Sequence, residues 1–484
     1  MYNKVALAVA MVLAGQQAQA VDTYFDNFTP LSGSVGATAT PASPITFSSS
    51  NFSQVNIADR ATQNALVPGS NSGSWDMITA NETGADAGRY LFMPFETGTG
   101  GVQRIDLWET DYNKRTVTIV APGTQGFVSG DASRWTPWGT LLTAEESWGT
   151  GSTKGRLFEV TNATTAGANG GDFVQRNVIP RVSHEGLAFD SNKSFYFIDE
   201  LNGGSIYKYV SATPNATNGD AYFNKGQTFV LKVGAGGQFE GNNGPSITGS
   251  ASWVALTDAN GVPNASSFSA MLNMGGGNFA LDGRAAADLA GVTATGYNRP
   301  EDLEIKTLAN GHEVVFFTTT DSDNNASTTD GRSRVYYLDT VTNEVVLFAD
   351  SHTTDLATGL EAGGGFRNAD NLAIDAAGNI YIIEDRDGAV DDDIWMAKDL
   401  NHDGDLLDAG EGLARWASNG TPGSEFTGLY FDKFDPNKAY VNIQHPADGV
   451  DRTMLITAVP EPETYAMMMA GLGLVGAMAR RRKD

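Results

Sequence analysis

Short apolar runs, separated by clusters of Gly, Asn, Asp and Ser, recur along the chain, and the spacing of an amphipathic helix is rare. Strands are expected at Tyr90–Pro94 and over residues 102–109, 115–120, 139–143 and 155–160. One pattern returns three times, over residues 187–199, 372–384 and, more loosely, 429–442. Each copy reads as strand, Asp/Asn/Gly turn, strand, with alternating apolar residues on its second half and a polar or acidic residue at its close. This repetition predicts an all-β fold, a β-propeller of about six blades whose inner strands aim their acidic ends at one axis. A sandwich is the competing architecture, and it leaves the similar endings unexplained.

The two ends of the chain depart from this pattern. Lys4, an apolar core over residues 5–14 and the small residues of Ala18-Gln19-Ala20 predict a signal peptide over 1–20, a helix removed before Val21. No twin arginine is present, so export of an unfolded chain is expected, with metals collected outside the cytoplasm. Residues 21–84 read as a Ser/Thr/Gly-rich arm, irregular over 31–75, and residues 85–458 as the propeller. The segment 459–484 carries Pro460-Glu461-Pro462, an uncharged apolar run and Arg480-Arg481-Arg482-Lys483. Its apolar helix, about 15 residues, is short of the roughly 20 that span a bilayer. This segment resembles the PEP-CTERM sorting tail of Gram-negative bacteria. The resemblance implies an exosortase partner, transient anchoring in the inner membrane, and passage through the periplasm to the cell surface or extracellular matrix.

Glycine is abundant, at 56 of 484 residues, as tight turns require, and cysteine is absent, so neither disulfides nor thiolate metal ligands exist. A net charge of −26 argues against a nucleic-acid partner. Such an excess of carboxylates suits either calcium, which takes oxygen ligands, or simple solubility.

Chemistry-bearing residues gather in a few segments. Residues 135–148 deliver Glu145 and Glu146 side by side, and strand alternation sends only one of them inward. Ser183-His184-Glu185-Gly186 precedes the first repeat, and Asp199-Glu200 ends it. Arg299-Pro300-Glu301-Asp302 sets an arginine two residues before a glutamate, so an extended segment holds both on one face. A guanidinium fork beside a metal-ligating carboxylate makes a phosphate site, and a surface salt bridge is the simpler alternative. Asp370-Asn371 and Glu384-Asp385 bracket the second repeat. Glu425 precedes the third, which runs into His445, a residue type that is more often structural than a ligand.

Taken together, Trp-Gly-Thr with Glu145-Glu146, His184-Glu185-Gly186, the segment 287–302, Asp370-Asn371-Leu372-Ala373 and the segment 441–446 resemble the PhoX-type alkaline phosphatases over roughly residues 85–455. That family is a calcium- and iron-containing propeller hydrolysing phosphate esters in its channel. The resemblance implies that Glu185, Glu301 and one of Glu145 and Glu146 ligate metal and that Arg299 holds the phosphate. Asp370, Asn371 and Glu384 would take calcium or support its ligands. Where the family has an iron-ligating cysteine, this chain has Ala144, which weakens iron and leaves calcium as the expected cofactor. The expected function is therefore hydrolysis of phosphate monoesters. The alternative is a non-catalytic, calcium-stabilised propeller of the cell surface that binds exopolymer.

A separate loop has oxygen-bearing residues at the spacing of an EF-hand's first half, Asp399, Asn401, Asp403 and Asp405 with Gly404 between. Asp408 and Glu411 are candidates for its closing acid. Calcium there would pin an insertion between the second and third repeats.

Overall fold

Most apolar runs pair with their neighbours along the chain, as short turns between alternating strands dictate. The architecture is that of a computed structural model, which describes residues 23–36, 38–241, 244–320, 333–386 and 392–459. The expected signal helix and the apolar tail helix, with Pro460, Glu461 and Pro462, lie outside the described residues. Among those described, no helix is long and apolar enough to cross a membrane.

Mainly antiparallel units of about four strands follow one another. The first comprises Thr79–Ala80, Tyr90–Pro94, Val102–Asp106 and Thr116–Val120, and the second Gly130–Trp135, Leu141–Glu145, Leu157–Val160 and Phe173–Gln175. The third starts with Leu187–Phe189 and Phe195–Ile198, and the fourth with Pro300–Thr307 and Glu313–Thr319. These two merge at their outer edges, where Gly249–Ala255 pairs with Glu344–Ala349. The fifth opens with Ala369–Ile374 and Ile380–Glu384, and the last with Glu425–Phe431 and Lys438–Gln444. All three repeated segments are hairpins, with Leu187 opposite Phe197, Leu372 opposite Ile382 and Tyr430 opposite Tyr440.

The N-terminal arm departs from the irregular chain its composition suggests. Phe52–Asp59 is a strand that pairs with Arg452–Ala458 and supplies the fourth strand of the last unit, with Phe52 opposite Ala458. Ile45–Phe47 adds to the edge of the fifth unit. Phe25 is fully buried between these units, 4.9 Å from the ring of Phe431 and edge-on to Trp416. Burial of such a ring contributes about 2–3 kcal/mol, which is reason enough for a polar arm to dock.

Successive units are laced together around their first strands. His184 N donates to Glu145 O (3.1 Å) and Gly186 N to Glu301 O (3.0 Å). Leu372 N donates to Asp302 Oδ2 (2.9 Å), and Gly428 N to Asn371 Oδ1 (2.7 Å). The last unit returns to the first through Thr427 Oγ1, which donates to Trp75 O at 2.7 Å. Glycine is required at this packing. A Cβ on Gly186 would overlap the backbone of Asp302 and Leu303, and one on Gly428 the backbone of Asp76–Ile78.

Candidate metal centre

The first strand of each unit begins beside an acid: Asp76, Asp131, Glu185, Glu301, Asp370 and Glu425. Two positions before most of these the backbone is left-handed, with φ of 46° at Ser74, 40° at Ser129, 43° at Arg299, 45° at Asn368 and 72° at Gly423. Four of the five are not glycine, a costly conformation that clusters at functional sites. Just beyond the acid, the register slips between Gly130 and Ser133, Pro300 and Leu303, Ala369 and Leu372, and Thr427 and Tyr430. Such bulges re-aim a side chain at the rim of a sheet. Here they accompany acids turned towards a common centre.

A second set of acids comes from the ends of the second strands, where alternation splits each acidic pair. Glu145 turns back into the protein and binds Arg156 at 2.8 and 2.5 Å, while Glu146 faces the centre. Asp199 accepts from Ser183 N (2.9 Å), while Glu200 faces the centre. Glu384 accepts from Trp395 Nε1 (2.9 Å) and from the amides of Arg367 and Asp393, and Asp385 faces the centre. Glu96 completes this set.

The result is a cavity of about 410 Å³ lined by ten carboxylates, with Arg299 and His445. Arg299 donates from Nε and Nη2 to Glu200 Oε1 at 3.1 and 2.6 Å, and its Nη2 lies 3.2 Å from Glu301. The exposed Trp148 stacks over the guanidinium at 5.2 Å. His445 Nδ1 donates to Gly423 O (3.0 Å), which leaves Nε2 on Glu425 Oε1 (2.8 Å). Two triads each place one oxygen per residue within 4.8 Å of the others: Asp76 with Asp131 and Glu185, and Glu185 with Glu301 and Asp370. Glu185 belongs to both.

This crowding has a large electrostatic cost. Burial pushes the carboxyls of Asp76, Asp131, Glu185, Glu200, Glu301, Asp370 and Glu425 well above their ordinary range. Neighbouring carboxylates push in the same direction, and Arg299 opposes them at Glu301. Glu96 is raised to about 7, chiefly by burial. Asp131 Oδ1 and Glu200 Oε2 are buried without a hydrogen-bond donor. A buried, oxygen-rich cluster with orphaned lone pairs and one counter-charge fits hard divalent cations.

The expected site residues therefore separate. Glu146, Glu185, Arg299, Glu301 and Asp370 meet in the cavity, and Asn371 stands behind it, donating to Asp370 Oδ1 at 3.0 Å. Glu145 and Glu384 lie outside it, each held by buried donors. Asp76, Glu96 and Asp131 join without having been singled out. Their sequence signal is weak: Asp76 and Asp131 are solitary acids two residues after Ser74 and Ser129, and Glu96 is a solitary acid after the strand Tyr90–Pro94. His184 is fully buried next to Phe197, its ionisation lowered to about 3 by burial and by Arg181 and Arg284, so its ring is neutral.

The second acidic loop stands apart from the cavity. Asn401 Nδ2 donates to Asp403 and Asp408 at 2.8 and 2.9 Å, and Asp405 caps Leu407 N. Glu411 accepts from the amides of Leu400 and Asp408, and Asp399 lies 3.5 Å from Lys306 Nζ.

Residues 125–447 match the family described as Alkaline phosphatase PhoX, which is two-thirds of the chain. The chain belongs to the PhoX alkaline phosphatase family. Residues 458–483 match the PEP-CTERM protein-sorting motif. Comparison with curated proteins returns no match. Among solved structures, similarity extends to a catalytically inactive virginiamycin B lyase from Staphylococcus aureus, at 10% identity and a TM-score of 0.40, over 84% of this chain and 99% of that one. A protein of unknown function from Bacteroides thetaiotaomicron shows 13% identity and a TM-score of 0.37, over 88% of this chain and 75% of that one. Likenesses this distant carry no argument about chemistry.

PhoX enzymes are metal-dependent, and among the described residues two carboxylate triads could hold a metal. Its Ala144, the residue before the glutamate pair, is fully buried in an apolar cluster with Ala132 and Leu157. Hard oxygen donors are the site's chemistry, and a thiolate has no part in it.

Proposed function

We propose that the cavity is the hydrolytic centre of an exported phosphoesterase, acting on phosphate monoesters with calcium as its held cation. In this reading the four-stranded units are the blades of a six-bladed propeller and the cavity is the mouth of its channel. One observation carries it: ten carboxylates converge around a single guanidinium. A highly anionic pocket repels a phosphate ester until cations fill it, and Arg299 then offers a fork matched to two phosphoryl oxygens.

Cations held by the two triads would polarise a phosphoryl oxygen and offset the carboxylate charge. Arg299 orients the phosphate, itself held in place by Glu200 and stacked by Trp148. His445 and Glu425 share a proton between Nε2 and Oε1, within the cavity, where a departing alkoxide needs one. Asp302 and Asn371 fix the strands that carry the triads. The loop around Asp399, Asn401, Asp403, Asp405, Asp408 and Glu411 is proposed as a separate structural calcium site. The sorting motif supports export, exosortase processing and transient anchoring at the inner membrane.

The test is turnover of p-nitrophenyl phosphate by the purified protein, with and without added calcium. Calcium-dependent turnover that falls at least about 100-fold in Arg299→Ala is the expected result. Bound calcium without turnover would sink the proposal. It would favour a non-catalytic, calcium-stabilised module of the exopolymer matrix, the reading towards which the missing cysteine leans.

A further inference from the structure

A second pocket, of about 510 Å³, shares no lining residue with the carboxylate cavity and includes Arg156, the partner of Glu145. Its character is opposite. Lys154, Arg156 and Arg181 line it, with the amides Gln175 and Asn177 and the exposed ring of Phe279. In a chain of net charge −26, a wall built from three cations requires a reason.

Arg181 supplies it. Its side chain is 1% exposed, yet among the described residues Nε and Nη1 have no hydrogen-bond partner, and its one side-chain hydrogen bond is Nη2 on Asn177 Oδ1 at 3.3 Å. The nearby carboxylates are already committed. Glu145 binds Arg156 and lies 3.9 Å from Lys154, and Asp282 binds Arg284 at 2.7 Å. Asp199 is a third acid facing Arg284, and among the described residues none of these carboxylates pairs with Arg181. Burial lowers the Arg181 guanidinium to about 10, and Arg156 and Arg284 add to the effect, yet it stays charged at neutral pH. A buried guanidinium with two idle donors is costly unless an anion pairs with it.

We propose that this pocket is a binding site for a phosphate group, free or carried on a larger molecule, paired with the Nε–Nη1 edge of Arg181 and with Lys154. The planar guanidinium edge matches two oxygens of a phosphate group, and Lys154 adds a positive charge to the same lining. The site is separate from the carboxylate cavity and does not depend on the reading of that cavity as catalytic.

The test titrates inorganic phosphate into the full-length protein at constant ionic strength, with chloride as the control, and follows heat of binding and melting temperature. Methylphosphonate then reports whether a carried phosphate-like group binds, and sulfate whether any tetrahedral oxyanion does. Saturable phosphate binding should weaken at least about ten-fold in Arg181→Gln and less in Lys154→Gln, whose side chain is at the mouth. It should persist in Arg299→Ala, which separates it from the catalytic proposal. Without phosphate, Arg181→Gln should melt no lower than the parent, because it removes an unpaired charge. Binding unchanged in Arg181→Gln, or lost only in Arg299→Ala, overturns the proposal. So does a chloride-buffered Arg181→Gln that melts well below the parent, which would make the arginine purely structural.

Discussion

Replacing Glu185 by glutamine should invert the sign of its effect on stability according to whether calcium is present. Glu185 lies in both triads, within 4.8 Å of Asp76, Asp131, Glu301 and Asp370. At that separation and an effective dielectric of about 20, two full carboxylate charges repel by about 3.5 kcal/mol. Its carboxyl is raised well above the ordinary range by burial, then by Asp131, Asp370 and Glu301. A carboxyl raised in the folded state stabilises fully below its unfolded value, and that contribution is lost as pH rises through the folded one. In chelator at pH 8, far above the unfolded value, the parent therefore carries the cost of its raised carboxyl, and the variant should melt at the same temperature or higher. In calcium at about 100 times its dissociation constant, each bound ion stabilises the parent by about 2.7 kcal/mol, so two give about 5. For a chain of this length that is a shift of about 5 °C. The variant should gain less than half of it. Differential scanning fluorimetry of both proteins, in EDTA and in calcium, measures the four values. Equal calcium shifts, or a variant several degrees less stable in EDTA, would refute the bridging role.

Further outcomes follow from the same geometry. Glu146→Gln should lower calcium-dependent turnover with little change in melting, whereas Glu145→Gln should cost about 3 kcal/mol by breaking a buried ion pair, seen in chemical denaturation. Calcium affinity should rise between pH 6 and 8 as Glu96, held at about 7, gives up its proton. Calorimetry in buffers of different ionisation enthalpy reads the protons released, and none released would contradict this. The metal-free protein should lose stability between about pH 4.5 and 7, because a raised carboxyl stabilises below about 4.5 and no longer does above about 7. Asp403→Ala should reduce the calcium-induced melting shift without altering turnover, as a purely structural ion in the 399–411 loop requires.

The hairpins were readable because alternation and turn chemistry act locally: the segments 187–199, 372–384 and 429–442 each pair as their pattern implies. Phe52–Asp59 was not readable, since its Ser- and Asn-rich surroundings look irregular and its partner lies at the other end of the chain. Of the site, Glu185, Arg299, Glu301 and Asp370 stood within recognisable motifs. Choosing between Glu145 and Glu146, or between Glu384 and Asp385, requires strand parity, which only the register supplies. A one-residue shift exchanges the cavity for a buried ion pair. Asp76 and Asp131 had no motif around them and became visible once every first strand was seen to begin beside an acid.

The latch formed by Phe52–Asp59 also sets the order in which the molecule can be assembled. It joins segments about 400 residues apart, a contact that forms slowly although its thermodynamic cost grows only gently with length. Until it closes, the edge of Arg452–Ala458 is bare, and Asp76 and Glu96 of the first unit have not met Glu425 of the last. One triad spans the first three units and the other the third to the fifth, so neither reaches the last unit, and a cation held there would gather five units without waiting for the latch. In the calcium reading proposed above, folding speed outside the cytoplasm should thus depend on the ion in the gathering of those five units, and on strand pairing alone in the closing of the latch.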